Sequence, residues 1–247
     1  MKYLESEFYK NKRRNFWMAI AGLFLFSLVW GGITTNVQLI RRPTQILETT
    51  IFNMLTINNL IFPFLIALLT VRLVQPEHDN KMFQVLILNG EQPWTLFLAK
   101  LTANMLVLLG GILLQTLMII VFIILKGAAL TPWSRLLLFL VPLMISGLVI
   151  SVIQLGLAFY FKKPTIPLCL GLAGSFLSLI TSGFLPKWIT IFIPWQYVSV
   201  LNPLSIGATG LQYSNIWLFY LALVMLIGLL LILIIRNKMK NKKKVVL

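Results

Sequence analysis

Long apolar stretches alternate with short polar connectors along this chain. The apolar runs cover about 16–36, 51–73, 96–125, 135–161, 165–183 and 216–235. About 20 apolar residues in a helix cross a hydrocarbon core of about 30 Å. Barrel strands would instead show short alternating segments, and none are visible. Backbone in lipid must satisfy its own hydrogen bonds. The pattern therefore predicts an all-α polytopic membrane protein, a single domain over residues 1–247 with six transmembrane helices. The third and fourth runs exceed what a bilayer requires, so each tilts, kinks or protrudes. Pro142 is a candidate kink, and Pro164 and Pro167 mark a tight start to the fifth run.

The polar and mixed segments add detail. In residues 1–15, Leu4 and Phe8 lie one turn apart and Glu7 and Lys10 can pair. A short N-terminal helix on the membrane surface fits, with a frayed basic terminus as the alternative. The first run has a basic start, but no A-x-A site follows it, so it reads as a retained span. Residues 184–215 contain Pro186, Trp188, Pro194, Trp195, Tyr197 and Pro203 among apolar positions. This segment is too apolar for a free loop and too broken for a span. It predicts a re-entrant or interfacial hairpin before the last span, with its aromatics at headgroup depth.

Polar residues inside the spans carry two readings. Asn53, Asn58, Asn59, Asn104, Gln115 and Gln154 either hydrogen-bond between helices or face a wet vestibule. Gly171, Gly174, Ser175, Ser178 and Ser182 share one face of the fifth span, and Gly147 and Ser151 repeat the small-residue spacing. Such faces serve close packing within the chain or a subunit interface.

Composition sharpens the class. The 247 residues are 59% hydrophobic and 11% charged, with a formal net charge of +15. Sixteen of the 21 Lys and Arg fall on one side of a six-span topology, in the N-terminus, the 2–3 and 4–5 connectors and the tail. The positive-inside rule places that side, and both termini, in the cytoplasm. The basic tail is then a topology anchor that favours anionic headgroups, and nucleic acid is not an expected partner. The lone Cys169 can form no internal disulfide.

The missing chemistry narrows function. The six acids, Glu5, Glu7, Glu48, Glu77, Asp79 and Glu91, all lie outside the runs or at their edges. An ion-coupled carrier normally needs an intramembrane acid or histidine. The lone His78 cannot build a metal site, and no span holds a histidine base. No G-x-x-x-x-G-K-[ST] occurs, so a P-loop is absent, and no cofactor or catalytic residue is expected in this chain. A multi-span protein without its own energy source conducts, senses, or is driven by a partner.

The connector from Arg72 to Lys100 is the best place for such a partner. It holds Glu77, His78, Asp79 and Glu91, which are three of the six acids and the only histidine. Pro76 suits a helix start, and Glu77 and Asp79 favour a first turn. Met82, Phe83, Leu86 and Ile87 then share one apolar face. Asn89-Gly90 ends the helix. An acidic start followed by an apolar face can fill a groove on another protein.

An acid soon after span 2, a short helix, a break, and a lysine entering span 3 resemble the ABC-2 type transporter permeases. Glu77, the helix through Leu88, the break to Pro93 and Lys100 match in order. The surface helix, six spans and broken hairpin extend the likeness along nearly the whole chain. Size and the Glu77–Phe83 run are most similar to the lantibiotic-immunity branch. The resemblance implies a coupling helix carrying Glu77, His78, Asp79, Lys81, Met82, Phe83 and Leu86, docked on a separate ABC ATPase that binds ATP and Mg. It also implies a second permease chain, identical or sister, a bacterial cytoplasmic membrane, and expulsion of an amphipathic substrate such as an antimicrobial peptide. With Glu48 the only outer-loop acid, such a peptide would be met by apolar and aromatic contact at Trp188, Trp195 and Tyr197. The competing reading is a non-transporting sensor or immunity protein that binds a peptide at its outer surface.

Overall fold

The computed structural model describes residues 16–41, 45–79, 85, 90, 92–127, 133–207 and 210–246. Helices α1 (Phe16–Arg41), α2 (Ile46–Asp79), α3 (Pro93–Leu125), α4 (Leu137–Tyr160), α5 (Thr165–Thr181) and α8 (Trp217–Val246) form a bundle. Five of them are long and apolar enough to cross a membrane. The fifth predicted span, 165–183, is α5, a shorter apolar helix of 17 residues. The predicted surface helix over residues 1–15 lies outside the described residues.

The hub is α2. Its apolar window is 72% buried, against 28% for α1 and 11% for α8. It packs against α1, α3, α4 and α5. A helix that is apolar on every side finds neighbours on every side. Leu55, Phe62, Leu65, Ile66 and Leu69 on α2 are fully buried, and Leu108, Ile112, Phe139 and Leu143 join them from α3 and α4.

The small-residue stripe is consumed within the chain. A Cβ at Gly171 would overlap Ala67 of α2, and one at Gly174 would overlap the Trp195 ring. Gly147 of α4 faces Leu108 of α3. The stripe is therefore what lets α5 lie directly on α2. Pro63 adds to this seat. Lacking an N–H, it leaves the Asn59 carbonyl without its helical donor. Ser178 Oγ donates to that carbonyl at 2.7 Å.

The hairpin between α5 and α8 is a chain of short elements. These are α6 (Lys187–Thr190), a 3-10 turn (Pro194–Gln196), α7 (Tyr197–Val200) and the antiparallel strands β1 (Leu204–Gly207) and β2 (Gly210–Tyr213). Leu204 pairs with Tyr213 and Gly207 with Gly210. Gly210 has φ +139°, where a side chain would be strained. The two strands are an element the sequence pattern did not predict. Pairing lets this stretch satisfy its backbone within itself, as an apolar setting demands.

Candidate functional site

The inner ends of α2 and α3 bracket the 2–3 connector. Helix α2 does not stop before Pro76; it continues to Asp79 with Pro76 inside it. Glu77 therefore lies on the last turn of the hub helix, not on the first turn of a separate one. It is 2% exposed, and Lys100, two turns into α3, is 1% exposed. Lys100 Nζ sits 2.8 Å from Glu77 Oε1 and donates to the Leu73 carbonyl at 2.6 Å. A buried ammonium persists only with this kind of compensation. The sequence offered a clue: a lysine eight residues into an apolar helix needs an acid, and Glu77 is among the few acids near it.

The remaining coupling candidates divide. His78 Nε2 lies 2.9 Å from the Ala158 carbonyl of α4, so it donates there and the imidazole faces the bundle. The side chain of Asp79, and Lys81, Met82, Phe83 and Leu86, lie outside the described residues. Within residues 80–89 only Val85 is described; it is helical and 51% exposed. Val85 is not one of the four positions of the expected apolar face, which lie outside the described residues, while Glu77 and His78 tie the root of the connector to the bundle.

Just beyond the ion pair runs a buried polar seam. Asn104, one turn along α3 from Lys100, has neither amide atom hydrogen-bonded among the described residues. Because Leu108 faces Gly147, the antiparallel register brings Asn104 level with Ser151 of α4. Ser151 Oγ and both amide atoms of Gln154, one turn further along α4, are also unpartnered. Gln154 Nε2 borders Gly171 of α5, and Ser175, one turn on, is unpartnered as well. Four buried side chains on the three helices around α2 thus have polar atoms with no hydrogen-bond partner among the described residues.

The outer half contrasts with this. Ser27, Asn58 and Gln115 link α1, α2 and α3: Ser27 Oγ donates to Asn58 Oδ1 at 2.7 Å, and Asn58 Nδ2 donates to Gln115 Oε1 at 3.0 Å. Gln115 Nε2 donates back to Ser27 Oγ at 3.2 Å. Asn53 Nδ2 donates to Gln38 at 3.1 Å. Asn59 points the other way and accepts from the Ser199 N–H at 3.1 Å. Gln196 Nε2 donates to the Ser178 carbonyl at 2.9 Å and to Thr181 Oγ1. These bonds hold the hairpin between α2 and α5.

Of the predicted outer contacts, one is at the surface. Trp188 is 66% exposed. Trp195 instead covers Gly174, and Tyr197 is 2% exposed in a cluster with Val149, Ile191 and Val224. Burial pushes the Tyr197 phenol up to about 12. Both rings hold the hairpin down, which corrects the expectation that all three meet a ligand directly. Burial also lowers Lys187, whose Nζ donates to the Asn202 carbonyl at 3.1 Å.

Glu48 is already engaged. Arg135 Nη1 and Tyr213 Oη both donate to its Oε1, at 2.9 and 3.1 Å. Burial and the Glu48 carboxylate together raise the Tyr213 phenol. Beside it, the Gln45 amide donates to Leu211 O and accepts from Leu211 N, docking β2 onto the start of α2.

A family model described as an ABC-2 family transporter protein matches residues 3–178. No curated protein matches the chain. The chain belongs to the ABC-2 transporter family. It is a multi-pass bacterial membrane protein and the permease component of an ABC transporter, a role that implies an ABC ATPase as partner.

Proposed function

From membership of the ABC-2 family, we propose that this permease couples ATP hydrolysis by a separate ATPase to expulsion of an amphipathic antimicrobial peptide of lantibiotic type. The observation that carries the coupling half is the Glu77–Lys100 pair. The connector leaves and re-enters the bundle at this pair. A push on residues 80–91 therefore moves the hub α2 and its neighbour α3 together. We count α5 as the sixth crossing, completed by the turn at Ser182–Pro186, which returns both termini to the basic, cytoplasmic side. Two such chains would flank the substrate path.

Two observations support an amphipathic cargo met without charge pairing. Glu48 is held by Arg135 and Tyr213. Phe184, Trp188 and Phe192 on the hairpin are 85%, 66% and 82% exposed. The outer contact surface thus narrows to Trp188 and these phenylalanines.

The test uses the full chain expressed with its ATPase. Glu77→Lys is a poor probe of docking, because it would bury two cations together and report on folding. Phe83→Glu changes a position of the expected docking face instead. Wild type should retain the ATPase through purification and clear a cationic amphipathic peptide from proteoliposomes only with ATP. Phe83→Glu should lose both at unchanged thermal stability. ATP-independent protection by the wild type would overturn the transporter reading in favour of a peptide-binding immunity protein.

A further inference from the structure

A cleft opens where the start of α3 meets the basic end of α8. It is open to the surroundings, has a cavity volume of about 80 Å³, and is lined by Gln92, Pro93, Trp94, Arg236, Met239 and Lys240. Its floor is apolar. Pro93 is buried, Trp94 stacks on Phe97 at 5.5 Å, and Met239 packs into the same cluster. Its rim is cationic. Arg236 and Lys240 stand one turn apart on α8, so both reach over the same opening. Neither makes an ion pair among the described residues, and neither α3 nor α8 contains an acid. Glu91, the acid nearest in sequence, lies outside the described residues. The N-terminus of α3, at Gln92 and Pro93, borders the same space, with no side-chain cap among the described residues.

We propose that this cleft binds the headgroup of an anionic glycerophospholipid. The rim supplies two cations for phosphate oxygens, and the floor supplies an apolar, aromatic surface for the glycerol and upper acyl chains. Free phosphate would use only the rim. The apolar floor, in a helix pair that faces the bilayer, selects the lipid. The site depends on α3 and α8 crossing the membrane and is independent of what the permease carries. A lipid seated there bridges the third and last spans.

Native mass spectrometry of the full chain in detergent, with phosphatidylglycerol or phosphatidylcholine added, tests this. Wild type should retain phosphatidylglycerol preferentially. Arg236→Gln with Lys240→Gln should weaken that retention about 30-fold, from about a fivefold loss per surface cation. Trp94→Ala should weaken retention of the same lipid with the charges intact. Lys242→Gln with Lys243→Gln is the charge-matched control and should leave retention largely unchanged. Equal losses from the rim and control pairs would mean diffuse attraction to the tail and overturn the site. So would equal retention of the two lipids, or displacement of phosphatidylglycerol by millimolar inorganic phosphate. All the rim positions are exposed, so a variant that unfolds would also count against their assigned surface role.

Discussion

The two halves of the bundle treat the same residue types in opposite ways. In the outer half, Ser27, Asn58, Asn59, Gln115, Ser178 and Gln196 meet one another or backbone groups across helices. In the inner half, Asn104, Ser151 and Gln154 are as deeply buried and have no hydrogen-bond partner among the described residues. A satisfied polar network holds one register, because any sliding breaks several bonds at once. Side chains that do not bond one another across helices impose no such interlock. The outer half therefore behaves as a fixed hub. The inner half, beside the connector, is where packing can change at low cost.

The largest expected effect breaks this comparison at its boundary. Lys100→Met would remove a buried ion-pair partner of the Glu77 carboxylate and cost about 3–5 kcal/mol. Adding Glu77→Gln should recover most of that loss, because the buried negative charge is then gone. Thermal unfolding in detergent measures both. A single variant as stable as wild type would mean that the pair is not buried.

One substitution applied twice sharpens the contrast. Gln115→Met in the outer half removes the partner of Asn58 and Ser27 and should destabilise by about 1–3 kcal/mol. Gln154→Met in the inner half replaces an unpartnered amide by an apolar chain of similar shape. It should stabilise by about 1 kcal/mol, while slowing ATP-driven transport. The same sign at both positions would dissolve the distinction between the halves.

The smallest effect concerns the outer rim. Tyr213→Phe should cost about 0.5–1.5 kcal/mol by removing one hydrogen bond to Glu48. The folded-state Tyr213 pKa is raised above its ordinary value of 10.0. Its contribution is therefore fully present below about pH 10 and is lost as pH rises through the folded value. Difference tyrosinate absorbance between wild type and Tyr213→Phe should show this late titration.

The spans were legible because periodic apolar runs are local signals; each predicted run overlaps a helix. The small-residue stripe was legible too, and Gly171 and Gly174 sit where close approach requires them. What failed depended on distant partners. Pro76 and Glu77 read locally as a helix start, yet Lys100, 23 residues on, draws them into the end of α2. Tyr197 and Trp195 read as interfacial aromatics because composition cannot show that Gly174 and Val149 wait beneath them. The strands at Leu204–Tyr213 were hidden in a proline-broken segment whose pairing is set by docking on Gln45.

The carbonyl that Pro63 leaves open has a consequence for how the protein is made. Asn59 O receives its donor from Ser178, 119 residues later. At about 5–20 residues per second, ribosomes take roughly 6–24 s to cover that distance. Through that interval the hub helix has an open carbonyl and the Asn59 amide facing lipid, translocon or an insertion chaperone. Biogenesis of the most central span is therefore complete only when a helix from the second half of the gene arrives.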